Sequence, residues 1–164
     1  MQDLIPRAEK VARLLKERNE TIAVAESSTG GLISASLLAL PGASAYFLGG
    51  AVVYTQAARK ALLGVTELPA GMRASTEAYA LYAARIARER FGANWALAET
   101  GATGPTGNRY GDAAGHSCFG IAGTAEASMT LETGKADRVE NMHAFSAEAL
   151  GFLLKTVSKQ IRNP

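Results

Sequence analysis

The stretch Thr21-Ile22-Ala23-Val24-Ala25-Glu26-Ser27-Ser28-Thr29-Gly30-Gly31 decides how the rest of the chain is read. Thr21 to Ala25 is short, apolar and β-leaning, which predicts a buried strand. That strand runs straight into hydroxyl residues and glycines. Leu32 to Leu40 follows with helical character and is stopped by Pro41-Gly42. Strand, Ser/Gly turn and helix together aim backbone N–H groups and the positive end of a helix dipole at an anion. Ser27, Ser28, Thr29, Gly30 and Gly31 are therefore candidate substrate-binding residues. An ordinary βα turn with a capping hydroxyl has the same composition, so the stretch alone leaves both readings open.

Upstream, Leu4, Ala8, Val11 and Leu15 recur at helical spacing, with Asp3 as N-cap, Pro6 in the first turn and Asn19-Glu20 as the stop. Downstream, Phe47 to Tyr54 reads as a second strand and Gln56 to Leu63 as a short helix ended by Gly64. Ser75 caps a helix running to Phe91 and closed by Gly92. Trp95 to Thr100 is strand-like. Ser117 to Ala122 and Ala127 to Glu132 form an antiparallel pair around a turn at Gly123-Thr124. A last helix covers about Arg138 to Ile161, with Met142, Leu150, Leu153, Val157 and Ile161 near one face. Helices separate the early strands and turns separate the late ones. The fold class is therefore α/β, with a mixed sheet in a layered α/β arrangement.

The 164 residues amount to a single domain's length. A hydrophobic fraction of 48% and a charged fraction of 20% exclude a disordered or collagen-like chain. Seventeen basic against fifteen acidic residues leave a net charge of +2, too little for a duplex nucleic-acid footprint. Cys118 is the single cysteine and sits among apolar neighbours, so it reads as a buried thiol. His116 and His143 are far apart and no CxxC or HExxH pair exists, so no metal site is expected. No apolar run reaches the roughly 18–20 residues of a membrane span, and the polar start MQDLIPRAEK lacks a secretory core. A cytoplasmic protein, with no membrane or nucleic-acid partner, is expected.

Gly101 to Gly115 holds five glycines and one proline and reads as a loop. A loop that long in a compact domain is usually functional. Gly101, Gly104 and Gly107 can turn backbone N–H groups toward an anion, and Arg109 can add a two-pronged contact. A flexible surface loop is the plainer reading. Ser44 lies among small residues at a helix-to-strand junction, where a capping role is the default. His116 with Asp112 has the composition of an orienting pair, though a histidine at a strand start is more often structural.

With those stretches in place, the sequence resembles the C-terminal domain of the competence/damage-inducible CinA proteins, a domain that also occurs alone as a nicotinamide-nucleotide amidohydrolase. The resemblance rests on Ala25 to Gly31, Gly42-Ala43-Ser44-Ala45-Tyr46-Phe47, Val52-Val53-Tyr54-Thr55, Ala74-Ser75, and Thr100 to Gly107 with Gly115 closing the loop. It extends over nearly the whole of 1–164. It implies a three-layer α/β/α sandwich and hydrolysis of the carboxamide of nicotinamide mononucleotide, without a metal or other cofactor. It implies Ser44 as nucleophile, Tyr54 and Arg59 as the groups that activate it, and Thr100 as a further hydroxyl of the site. The family's lysine stands here as Arg59, with Lys60 beside it, and its cysteine as Ser28. Its Lys-Pro is replaced by Asp112-Ala113-Ala114. Its Gly-Asp-Arg at the last helix has no clear counterpart from Arg138 to Phe145. A silent nucleotide-binding protein, or a hydrolase of another small amide, would share these features. A homo-oligomer is compatible with the exposed edges such domains carry.

Overall fold

The structure is a computed structural model and describes residues 1–159. Its centre is a five-stranded sheet in the order β2-β1-β3-β4-β5. The strands are β1 (Ile22–Glu26), β2 (Phe47–Val52), β3 (Trp95–Ala102), β4 (His116–Ala122) and β5 (Ala127–Glu132). β1 pairs in parallel with both β2 and β3, whereas β3–β4 and β4–β5 are antiparallel. The mixed sheet follows from the connections. A parallel neighbour needs a helical crossover, which α2 (Leu32–Leu38) and α4 (Glu77–Phe91) supply, while β4 and β5 need only a turn.

Burial explains why the TIAVA run was legible. β1 lies between two parallel strands with helices on both faces, so all five of its residues are buried. The edge strands β2 and β5 instead alternate between half-buried and exposed residues. On one face α1 (Ile5–Arg18), α2 and α5 (Arg138–Lys159) cover Ile22, Val24, Trp95, Leu97, Phe119 and Ile121. On the other, α4 packs Ala80, Ala83, Ala84 and Ala87 against the small residues Ala96, Ala98 and Ala122. This gives the three layers α/β/α. Small residues on both sides bring α4 close. A Cβ at Gly120 would stand 2.4 Å from the Ala80 carbonyl carbon.

The elements depart from the sequence reading at their ends. Leu4, not Asp3, is the N-cap of α1, and Asp3 instead pairs with the terminal amine. Thr76, not Ser75, caps α4 by accepting from Tyr79 N, and Ser75 takes a left-handed φ of 58°. The helix after β2 is a short α3 (Gln56–Ala58) that widens into a π turn over Arg59–Leu63. Gly101 and Ala102 extend β3, so the glycine loop begins at Thr103. Ile161 lies outside the described residues.

β1 is the switch point of the fold. The chain leaves it toward β2 through α2 on one face and returns from β2 to β3 through α4 on the other. Ligand crevices of open α/β sheets lie beyond the carboxyl ends of strands at such a point.

Candidate functional site

A cleft of about 560 Å³ opens there, within the usual range for small-molecule sites. Ser27 follows β1, Tyr54 to Arg59 follow β2, and Thr100 and Gly101 close β3. Ser75 and Tyr79 come from the start of α4, and Asn108, Arg109 and Tyr110 come from the glycine loop. Another hollow of about 490 Å³, at the far end of α4, is lined by Arg85, Arg88, Glu89, Gly92 and Ala93 and offers no hydroxyl.

Several polar groups in the cleft are held by neighbours. Thr100 Oγ1 accepts the backbone N–H of Ser75 at 3.2 Å, which leaves its own proton free to donate. Arg59 is 9% exposed, and its Nε donates to the Val65 carbonyl at 3.4 Å across the π turn. A π turn re-aims side chains and recurs at functional sites. Burial pushes the Tyr79 phenol above its ordinary value, although Arg59 beside it pulls the other way. The loop is clamped from below. Arg73 makes a two-pronged bond to Asp112 at 2.7 and 2.9 Å, and Asp112 accepts from Asn108 Nδ2 at 2.8 Å. The bond from Arg73 holds the Asp112 carboxyl below the usual range. The guanidiniums of Arg73 and Arg109 both lie over the Tyr110 ring, at 5.3 and 5.1 Å.

The cleft also uses a residue that the sequence reading left out. Arg138, the first residue of α5, donates from Nη2 to the Tyr54 hydroxyl at 3.1 Å and from Nη1 to the Gly104 carbonyl at 2.7 Å. Asp137 before it accepts from Glu140 N at 2.8 Å. Ala136-Asp137-Arg138 resembles the family's Gly-Asp-Arg at the entry of the last helix, with alanine where that motif has glycine. The acidic-basic pair at the helix entry is the local signal for this placement.

Of the expected site residues, the structure brings Ser27, Tyr54, Arg59, Thr100, Gly101 and Arg109 to one cleft. Lys60 is exposed and does not line it. Ser44 is exposed in the turn before β2, beyond the opposite end of that strand from Tyr54. The six residues of β2 alone separate them by roughly 20 Å. The expectation that Ser44 shares the cleft is therefore not met within one chain.

Of the Ser/Gly turn only Ser27 lines the cleft. The turn's backbone donors are aimed at carboxylates of the chain itself: Ser27 N and Thr29 N at Glu99, Ile33 N and Ser34 N at Glu26. Ser28 and Thr29 are buried, and Gly30 N bonds to the Ser27 carbonyl at 3.2 Å. Gly30 and Gly31 have left-handed φ of 65° and 103°, which shape the turn, and neither lines the cleft. Gly104 and Gly107 also lie outside the cleft lining. Added Cβ atoms there would meet the Ala136 and Asp112 carbonyl oxygens at 2.4 and 2.2 Å, so these glycines serve close backbone packing. His116 bonds to Glu132 and to the Ser75 carbonyl, and stands 4.0 Å from Asp112, which makes it a tie beneath the loop. Cys118 is buried, and burial raises its thiol. Among the described residues no cluster of three His, Cys, Asp or Glu side chains could hold a metal. No helix among them is long and apolar enough to cross a membrane.

Fold and cleft define an α/β/α domain with an arginine- and hydroxyl-lined pocket at the switch point of its sheet. The model of the CinA C-terminal domain matches residues 5–157, and the chain belongs to that family. A CinA-like protein of Chlorobium limicola is 40% identical over 148 residues, which is 87% of this chain and 34% of that protein. A CinA-like protein of Salinibacter ruber is 37% identical over 147 residues, covering 88% of this chain and 35% of its own. The chain thus spans about a third of the length of the curated relatives it matches. Among solved structures, a CinA superfamily protein of Klebsiella pneumoniae superposes with a TM-score of 0.88 at 25% identity, over 95% of this chain and 98% of that one. The competence/damage inducible protein of Agrobacterium tumefaciens gives 0.85 at 29% identity, over 93% and 94%.

Proposed function

We propose that this chain is a cytoplasmic amidohydrolase that converts nicotinamide mononucleotide to nicotinate mononucleotide and ammonia, without a metal. The observation that carries this reading is the convergence of Arg59 and Arg109 on a cleft that also holds Thr100 and Tyr54, the latter bonded to Arg138. Guanidiniums suit a phosphate, and the hydroxyls suit a ribose and a carboxamide. In the reaction a serine oxygen bonds to the carboxamide carbon, its proton passing toward Tyr54. Arginine charge stabilises the oxyanion that forms. The C–N bond then breaks, ammonia leaves with the proton, and water hydrolyses the acyl-enzyme. Ser44 fills the nucleophile's role only if it comes from a second copy of the chain, so the reading includes a homo-oligomer.

The test is ammonia release from a panel of carboxamides: nicotinamide mononucleotide, nicotinamide and aliphatic amides. Release from the nucleotide above the others supports the reading, and release only from another amide changes the substrate. A second reading is a silent nucleotide-binding protein. Arg59 favours it, because arginine stays protonated and cannot serve as a base where the family has lysine. Binding of the nucleotide with no ammonia released would establish that reading instead.

A further inference from the structure

Glu26 ends β1 and Glu99 lies within the adjacent β3 on the same face of the sheet, at 0% and 2% exposure. Glu26 faces Thr29 Oγ1 at 2.7 Å, Ile33 N at 3.1 Å, Ser34 N at 2.9 Å and Ser34 Oγ at 2.5 Å. Glu99 faces Ser27 N at 3.0 Å, Thr29 N at 3.1 Å, Thr29 Oγ1 at 3.0 Å, Ser117 Oγ at 3.1 Å and the Ser28 hydroxyl. The Thr29 hydroxyl thus stands between the two carboxyls. It carries one proton and faces an oxygen of each. With both glutamates ionised, one of those contacts sets lone pair against lone pair. A proton on one carboxyl turns both into hydrogen bonds.

The charge balance points the same way. Around the pair, α2 contributes Ser34, β4 contributes Ser117, and α5 contributes Met142 against Gly30. Among the described residues no lysine, arginine or histidine bonds to either carboxyl. His116 and Cys118 alternate with Ser117 along β4 and so face the opposite layer. Two carboxylates this close and this dry, without a counter-ion, do not both ionise readily.

We propose that Glu26 and Glu99 share a single proton across the Thr29 hydroxyl, and that Glu99 is thereby the positioning residue that holds the Ser27–Gly31 turn against the cleft. Burial raises the Glu99 carboxyl, against the pull of its hydrogen bonds to Ser28, Ser27 and Thr29. A proton held more tightly in the folded than in the unfolded chain makes its stabilising contribution complete below the ordinary carboxylate range. That contribution is lost as pH rises through the folded value. Above it, a second uncompensated charge forces the turn, and with it Ser27, off the cleft wall.

Infrared spectroscopy of the whole chain tests this without any substrate. At neutral pH the wild type should show the carbonyl band of a protonated carboxyl, absent from Glu99→Gln. Glu26→Gln, which removes the neighbouring charge, should move the titration of that band to lower pH. Glu99→Gln mimics the protonated form, so its melting temperature at neutral pH should stay near the wild type's and fall less steeply toward alkaline pH than the wild type's. No such band at neutral pH overturns the proposal, as does a band that survives in Glu99→Gln. A titration that Glu26→Gln leaves unmoved overturns the sharing. Where Glu99→Gln fails to fold, the wild-type band and its shift in Glu26→Gln still decide.

Discussion

Arg138 and Tyr54 are 84 residues apart in sequence, yet the guanidinium donates to the phenol at 3.1 Å. The bond joins the entry of α5 to the end of the edge strand β2, and the second arm of Arg138 fixes the loop carbonyl of Gly104. One side chain therefore ties Tyr54 of the cleft to the glycine loop. Arg138→Ala should reduce deamidation of nicotinamide mononucleotide on the order of 10²-fold, the scale for one positioned polar group. Arg138→Lys, a point charge without the fork, should restore little of it. Steady-state ammonia release measures both, and unchanged kcat/KM in Arg138→Ala would remove Arg138 from the site.

Arg59 and Lys60 separate the same way. Arg59 points into the cleft and Lys60 out to solvent. Arg59→Ala should cost on the order of 10²-fold in turnover or more, and Lys60→Ala should leave it nearly intact. Loss on Lys60→Ala alone would mean that the π turn presents the other residue during reaction.

Periodicity made the layers legible because a central strand such as β1 is apolar from Ile22 to Ala25, and α1 and α5 each bury one stripe. Ends were less legible, since Ser75 and Thr76 are adjacent hydroxyls and only the backbone decides which one caps. The site was legible where its residues are neighbours in sequence, as with Thr100-Gly101. It was opaque where the partner is distant. Nothing local to Thr29-Gly30-Gly31 says that Glu99 arrives from 70 residues away to take up its N–H groups.

Gly120 on β4 faces the α4 backbone, and a Cβ there would fall 2.4 Å from both the Ala80 carbonyl carbon and Leu81 N. Backbone cannot swing aside as a side chain does. Gly120→Ala should therefore destabilise the fold by about 1–3 kcal/mol through overpacking. Urea denaturation measures it, and a midpoint equal to the wild type's would show that α4 rides loosely on the sheet.

His116 gives a pH dependence of its own. Burial opposes its charge, but the bonds to Glu132 and the Ser75 carbonyl, with the charges of Glu132 and Asp112, outweigh it and hold the imidazole above its ordinary value. The stabilisation is complete below about pH 6.5, where the unfolded imidazole is also charged, and is lost as pH rises through the folded value. The imidazole proton resonances should titrate with a midpoint above about 6.5. His116→Gln should flatten the fall in melting temperature over the same window. A midpoint below the ordinary value would reverse the sign and count against the charged tie.

Ser44 poses the sharpest test, because it stands at one end of β2 and Tyr54 at the other. β2 is an edge strand, and no Lys, Arg, Asp or Glu occurs from Ser27 to Ala58. Edges usually carry charge to prevent pairing, so an uncharged edge is open to a second copy. Antiparallel pairing centred between Gly49 and Gly50 sets Phe47 opposite Val52 and Ser44 opposite Thr55, next to Tyr54. A two-fold pair built this way forms each site from Ser44 of one copy and Tyr54 of the other. Ser44→Ala and Tyr54→Phe should then each abolish ammonia release when pure. Dissociated, mixed in equal amounts and reassociated, they should recover about a quarter of wild-type activity, since half of the dimers are mixed and each of these has one intact site. Full activity in pure Ser44→Ala would remove Ser44 from the chemistry. Two inactive variants that stay inactive after mixing would rule out this pairing.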